Sequence, residues 1–172
     1  KVDDIKGAPK QSYVNSVYLS QHDINVIYVA FNHHKFGDFK PYVFKSSDKG
    51  MTWESISNNL PIKGSVYSIE EDHIDSSLIF CGTEFGVFFS PDSGGSWKEL
   101  ANGLPTIAVR DIAIQRREND LVLGTFGRGF YVLDDYSVLR SIENLDTSIE
   151  AKIFDVRDAL MWEKAAPLGL PG

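Results

Sequence analysis

The chain has 172 residues, 42% hydrophobic and 12% aromatic, enough for one ordered domain with a real core and unlike a disordered sequence. Its net charge is −7, with a pI of about 5.0, and this acidity argues against sequence-independent nucleic-acid binding, which requires a basic face. No apolar stretch approaches the length of a membrane span, and the single Cys81, inside Leu78-Ile79-Phe80-Cys81, reads as a buried thiol rather than a reactive one.

Residues 1–9 hold no complete strand pattern. Gly7-Ala8-Pro9 is similar to the Gly103-Leu104-Pro105 that closes a later unit, so this segment is expected to be the end of a preceding unit. The chain begins with Lys1 rather than Met, and the expectation is an excised piece, from which an export signal cannot be judged. The first complete unit, residues 10–61, has strand candidates at Val14–Ser20, Val26–Phe31, Tyr42–Lys45 and Trp53–Ile56, with a long loop, Asn32–Pro41, before the third. The second unit, residues 62–105, repeats the pattern at Val66–Glu71, Leu78–Gly82, Val87–Ser90 and Trp97–Leu100. The third, residues 106–140, has strands at Val109–Ile114, Leu121–Thr125 and Phe130–Leu133, and only Val138–Ile142 offers itself as a fourth. Residues 141–172 lose the repeat. Ile142–Glu150 is a polar connection, Ala151–Val156 a strand candidate, and Asp158–Ala166 has a helix-like composition anchored by Met161 and Trp162. Pro167–Gly172 reads as a loose end, and the whole tail as a spacer to a further domain.

One phrase organises these units. Ser46-Ser47-Asp48-Lys49-Gly50-Met51-Thr52-Trp53 returns as Ser90-Pro91-Asp92-Ser93-Gly94-Gly95-Ser96-Trp97, both reading S-x-D-x-G-x-[ST]-W and standing 44 residues apart. Asn58-Asn59-Leu60-Pro61 returns at the same spacing as Asn102-Gly103-Leu104-Pro105. Each box lies between an apolar run and a short strand opened by Trp, the setting of a β-hairpin turn. Asp48 and Asp92 accept N–H bonds from the residues after them, and Gly50 and Gly94 supply positive φ. Ser46, Thr52, Ser90 and Ser96 tie the two arms, and Trp53 and Trp97 bury their rings against a neighbouring sheet. In the third unit Asp135 falls at the Asp position, but Arg140 takes the place of Trp.

The box resembles the Asp-box, or bacterial neuraminidase repeat, found in the β-propellers of sialidases, xyloglucanases and the luminal domain of sortilin. Asp38-Phe39-Lys40-Pro41-Tyr42, Gly82-Thr83-Glu84-Phe85-Gly86 and Gly124-Thr125-Phe126-Gly127-Arg128-Gly129 are similar to stretches of large bacterial proteins described as sortilin-like or glycosyl-hydrolase-like. The resemblance covers roughly the first 140 residues. It implies an all-β fold: a partial β-propeller of about three four-stranded antiparallel blades, with an irregular C-terminal tail. It also implies an extracellular or periplasmic setting. Three units do not close a ring of about four to eight blades. The expected partners are therefore the remaining blades of the parent propeller, or a second copy meeting the open blade faces.

In a propeller the turn between the second and third strands of each blade falls on one face of the ring. Here that face carries His33, His34, Asp38, Glu84 and Arg128, the candidate ligand-binding residues against a background expectation of solvated loops. His33, His34 and Asp38 have ligand chemistry, but adjacent His side chains diverge and no closed ligand spacing exists, so neither a metal nor a cofactor is expected. Glycoside hydrolysis needs two carboxylates flanking the scissile bond, and Asp38 and Glu84 are the pair on this face. The arginine set of a sialidase is missing. Arg128 sits between turn glycines and is expected to pair with an acid such as Glu84, and Asp48 and Asp92 belong to turns. No catalytic residue is assigned. The reading is a non-catalytic propeller segment, serving as scaffold or as a protein- or glycan-binding surface. The alternative is part of a glycoside hydrolase whose site is completed by absent blades.

Overall fold

A computed structural model describes residues 5–101, 103–144, 151–154 and 158. Eleven strands form three antiparallel sheets among them, each built from consecutive strands. The first contains β1 (Tyr13–Leu19), β2 (Ile27–His33), β3 (Asp38–Ser46) and β4 (Glu54–Ser55). The second contains β5 (Val66–Glu71), β6 (Ile79–Thr83), β7 (Gly86–Ser90) and β8 (Lys98–Glu99), and the third β9 (Val109–Gln115), β10 (Asp120–Thr125) and β11 (Phe130–Leu133).

The sheets stack face to face. Tyr28, Ala30 and Val43 of the first sheet meet Val66, Ile69, Ile79 and Cys81 of the second in one cluster. The other face of the second sheet, with Phe80, Val87 and Phe89, meets Ile112, Leu121 and Leu123 of the third. The middle sheet is thus covered on both sides, and every residue of β6 and β7 is buried. This explains why Ile79-Phe80-Cys81 is a continuous apolar run rather than an alternating one. Burial pushes the Cys81 thiol well above its ordinary pKa. Near the first strands the sheets approach so closely that a Cβ on Gly82 would stand 2.6 Å from the Val109 carbonyl oxygen, which requires glycine there. The two outer sheets each leave an apolar face open: Val17 and Leu19 are 62% and 66% exposed on the first, Phe130 and Val132 79% and 56% on the third.

Both boxes close with the same four bonds. Ser46 and Ser90 donate their hydroxyls to Oδ1 of Asp48 and Asp92 (2.8 and 2.6 Å) and accept the N–H of Gly50 and Gly94 (2.8 and 2.7 Å). The same carboxylates accept the N–H of Thr52 and Ser96 on Oδ1 (2.8 and 2.7 Å) and their hydroxyls on Oδ2 (2.6 and 2.7 Å). Gly50 and Gly94 take φ of 85° and 96°, as the turn demands.

Two expectations need correction. Asn32–Pro41 is not a long loop. β2 runs on to His33 and β3 starts at Asp38, with a 3₁₀ turn, His34–Phe36, closed by Gly37 at φ 74°. The ladder survives because the register shifts after Phe31 before His33 pairs with Asp38. Pro41 falls in the shifted stretch, where its missing N–H costs no ladder bond. Val138–Ile142 is not a fourth strand either. It lies in a 3₁₀ helix, Tyr136–Asn144, so among the described residues the third sheet has three strands rather than four. Asp135 starts this helix by accepting the N–H and hydroxyl of Ser137 (3.3 and 2.5 Å). Arg140 then makes a two-point contact with buried Asp72, Nε to Oδ2 and Nη2 to Oδ1, both 2.8 Å. The helix reading of Asp158–Ala166 and its anchors Met161 and Trp162 lie almost wholly outside the described residues.

Candidate functional site

The β2–β3, β6–β7 and β10–β11 turns share one face of the stack with the entries to β5 and β9. His34, at the tip of the first turn, reaches the second sheet: its Nε2 lies 2.7 Å from the hydroxyl of buried Ser65 and 3.8 Å from Glu84 Oε2. Ser65 also accepts the Glu84 N–H on its carbonyl (3.1 Å), so one short segment fixes both groups. The His34 ring stands 4.9 Å from Phe39 and 6.4 Å, edge on, from Tyr67.

Tyr67 continues the row. The Arg110 guanidinium, projecting from β9, lies 3.8 Å over its ring and 5.3 Å from the ring of Phe126. Phe126 is 70% exposed and is held by its N–H bond to the Ala108 carbonyl (2.9 Å). A cation seated on aromatic faces at an exposed site gains about 0.5–1 kcal/mol and loses side-chain freedom. Arg110 makes no ion pair among the described residues, so its N–H edges are not committed to an acid. Burial raises the Tyr67 pKa, the Glu84 charge adds to this, and Arg110 opposes it. The row therefore runs His34, Ser65 with Glu84, Tyr67, Arg110, Phe126, and crosses all three sheets.

Of the residues singled out in the sequence, His34 and Glu84 come together. His33 turns away: its ring stacks on Phe36 at 4.3 Å and its Nδ1 lies 3.4 Å from the Ser12 hydroxyl. Asp38 is tied into its own strand, accepting the Tyr42 hydroxyl (2.6 Å) and the Lys40 N–H (3.2 Å). The Tyr42 bond holds Asp38 below its ordinary pKa, the opposite of what a general acid needs, and burial with Asp38 pushes Tyr42 up to about 12. Arg128 is exposed and forms no ion pair among the described residues. The expected partnership with Glu84 is taken by His34 instead. The neighbouring Gly127 and Gly129 serve the turn, at φ 87° and 70°, with Thr125 donating its N–H and hydroxyl to the Gly129 carbonyl (3.0 and 2.7 Å).

Sequence reasoning missed Ser65, Tyr67, Arg110 and Phe126. A signal existed: Val66-Tyr67 and Val109-Arg110 hold equivalent places at the start of the first strands of successive units, and such starts border the same face as the turns.

On the opposite side, acids are structural. Asp72 is fully buried. Burial pushes its pKa up, but Arg140, the Tyr136 hydroxyl (2.5 Å) and the N–H groups of Asp75 and Ile74 outweigh this and hold it at about 2. Glu70 on β5 behaves differently. Burial lifts it to about 7, partly offset by Arg116 and by the Tyr18 hydroxyl at 3.5 Å.

No protein-family model and no curated protein matches the chain. Solved structures do. An ancestral GH74 enzyme superposes at TM-score 0.55 and 22% identity over 67% of this chain. The GH74 enzyme of Niastella koreensis gives 0.55 and 21% over 71%, and the extracellular domain of BT4673 from B. thetaiotaomicron 0.52 and 22% over 72%. The chain is a partial β-propeller. It spans only 14%, 21% and 15% of those three chains, and at such identities the likeness is one of fold. In propeller terms the three sheets are blades, and the row from His34 to Phe126 runs across the face that carries their second turns.

Proposed function

We propose that this chain is a non-catalytic segment of an Asp-box propeller of the sortilin-like kind, and that the face bearing His34, Tyr67, Glu84, Arg110 and Phe126 is its binding surface for a glycan or a protein. The observation that carries this reading is the continuous row of polar and aromatic groups across three blades, in which the Arg110 guanidinium lies over the Tyr67 ring and near that of Phe126 and makes no ion pair among the described residues. Such a row offers stacking surface and directed donors together, the mixture that sugar rings and peptide side chains require. The open faces of the outer blades fit association with further blades of a larger propeller, or with a second copy. An extracellular or periplasmic setting goes with the family resemblance.

The second reading, part of a glycoside hydrolase, draws on the GH74 neighbours. Its proposed acids disagree with it: Asp38 is held ionised within its own strand, and Glu84 is engaged by His34. The test is a glycan array that includes xyloglucan oligosaccharides, run beside affinity capture with the chain as bait and a reducing-end release assay. Binding that is lost in Arg110→Ala and Tyr67→Ala supports the surface. Hydrolysis that is lost in Glu84→Gln would establish the enzyme reading. Silence in every arm leaves scaffolding alone.

A further inference from the structure

Each blade breaks its first ladder at the same place. Val14 and Ser16 pair with consecutive residues of β2, Phe31 and Ala30. Val66 and Ser68 pair with Thr83 and Gly82 of β6, and Val109 and Asp111 with Thr125 and Gly124 of β10. Asn15, Tyr67 and Arg110 are therefore the extra residues of equivalent β-bulges. A bulge leaves its extra residue out of the ladder and re-aims the side chain. Here those side chains reach from blade to blade. Asn15 accepts the Asn32 amide (2.5 Å) and donates its own amide to the Val66 carbonyl of the second blade (2.6 Å). Tyr67 of the second blade lies under the Arg110 guanidinium of the third.

Arg110 differs from the other two in its charge and in its surroundings. Its guanidinium rests on ring faces, 3.8 Å from Tyr67 and 5.3 Å from Phe126, and among the described residues it forms no ion pair. A guanidinium carried in this way presents a fork of N–H donors, which matches a carboxylate at two points. Beside it Phe126 is 70% exposed, an open ring of the kind that stacks on the apolar face of a sugar. The neighbouring acids have partners of their own. Glu84 faces His34 at 3.8 Å, and Asp111 accepts the Ile112 N–H (3.0 Å). Glu84 and Arg110 nevertheless act on one ring: the acid raises the Tyr67 pKa and the guanidinium lowers it.

We propose that Arg110 binds the carboxylate of a uronic acid residue whose sugar ring covers Phe126, so that this face takes acidic rather than neutral glycans. A carboxylate borne directly on a pyranose reaches the guanidinium while the pyranose lies on the adjacent phenyl ring. An acidic peptide holds its carboxylates on flexible arms and has no ring beside them to stack, so the glycan fits the pairing of Arg110 with Phe126 better. Glu84 works against the ligand's charge and weakens the site. This inference rests on the reading of the face as a binding surface and narrows it to one ligand class.

The test is calorimetric titration of the full 172-residue chain with tetragalacturonate, with its methyl ester and with a tetraglutamate peptide. Tetragalacturonate should bind, and its ester about ten- to a hundredfold more weakly, the loss expected when charge-assisted hydrogen bonds are removed. Arg110→Gln should lose as much for the acid, and Arg110→Lys, which keeps the charge without the fork, should recover only part of it. Glu84→Gln should tighten binding of the acid and leave the ester unchanged. An ester that binds as well as the acid overturns the inference, and so does absence of binding by tetragalacturonate. If the ester then loses its binding in Tyr67→Ala, the face still binds a glycan and only the preference for acids is wrong. Tetraglutamate binding as tightly as tetragalacturonate would give the guanidinium to a peptide and overturn the sugar. Binding of the acid that survives both Arg110→Gln and Tyr67→Ala lies elsewhere on the chain and overturns the inference and the binding face together.

Discussion

The two boxes are alike within and unlike without. Their eight internal hydrogen bonds match to within 0.2 Å, yet Trp97 is 4% exposed whereas Trp53 is only half-buried. Trp97 gives its indole N–H to Ile56 of the neighbouring blade, and Asn58 donates across the same seam to the Gly94 and Gly95 carbonyls (2.6 and 3.0 Å). Trp53 gives its indole N–H to Gly50 in its own turn (3.1 Å) and leans on Val29, Phe31 and Phe44, with Ile5 and Ala8 beside them. The motif therefore encodes a turn, and its stabilising value comes from the connector it docks on. Removing the ring should expose this difference. Trp97→Ala should cost about 3–5 kcal/mol, the range for a large side chain deleted from a core, and Trp53→Ala clearly less. Urea unfolding of both variants measures it, and equal losses would mean that the turn rather than the seam holds the stability.

The third unit sharpens the comparison, because Arg140 stands where a box would carry Trp. It fastens the blade seam by a buried ion pair with Asp72 instead of by a ring. Arg140→Ala leaves a buried carboxylate short of its cation, and the expected cost is about 3–5 kcal/mol, nearer the lower bound because Tyr136 and two N–H groups still serve Asp72. The wild-type pair has a pH signature. Asp72 sits at about 2 when folded against 3.8 ordinarily, so its contribution is present above pH 3.8 and drains away as the pH falls towards 2. In Arg140→Ala the acid-unfolding midpoint should move to higher pH, and an unmoved midpoint would separate Asp72 from the acid transition.

The box carboxylates allow a gentler probe. Hydrogen bonds from Thr52, with Ser46, hold Asp48 at about 2 on an exposed turn. Burial pushes Asp92 the other way, but bonds from Ser90 and Ser96 win and leave it low as well. Carboxyl titration by NMR should find both below 3.8, with Thr52→Val raising Asp48 and Ser96→Ala raising Asp92. If each stays put, the shared turn geometry is not what sets the acids.

Much of this fold was legible because the box couples a local code to a fixed spacing. Gly50 and Gly94 must take positive φ, Asp48 and Asp92 must face their own turns, and a recurrence at 44 residues then places the strands. β5 and β11 have the limits read from their apolar patterns. Less of the binding face was legible. Tyr67 and Arg110 lie in strands, where an alternating pattern makes them look like ordinary surface positions, and only the third dimension brings the guanidinium over the ring. The Asn32–Pro41 stretch misled because Pro41 and Gly37 are loop residues by composition, whereas a register shift accommodates one and a 3₁₀ turn uses the other. Arg140 looked like decay of a motif because its partner, Asp72, is 68 residues away.

The smallest effect concerns a carboxyl that opposes the fold. Glu70 lies between the first and third blades, near Tyr18 and Arg116, and burial raises it to about 7 when folded against 4.5 ordinarily. The folded chain therefore binds this proton more tightly than the unfolded chain. Its stabilising share is complete below pH 4.5, falls as the pH climbs towards 7, and above 7 the ionised carboxylate is a standing cost. Glu70→Gln keeps the shape and removes the titration. It should raise stability slightly at pH 8 and leave no advantage at pH 4.5, and because the site is only half-buried, water screens part of the difference. Thermal unfolding of the variant and wild type across this range gives the sign directly. A gain at low pH with none at high pH would mean that Glu70 is held ionised by Arg116, and that the seam between the first strands is held by charge rather than by packing.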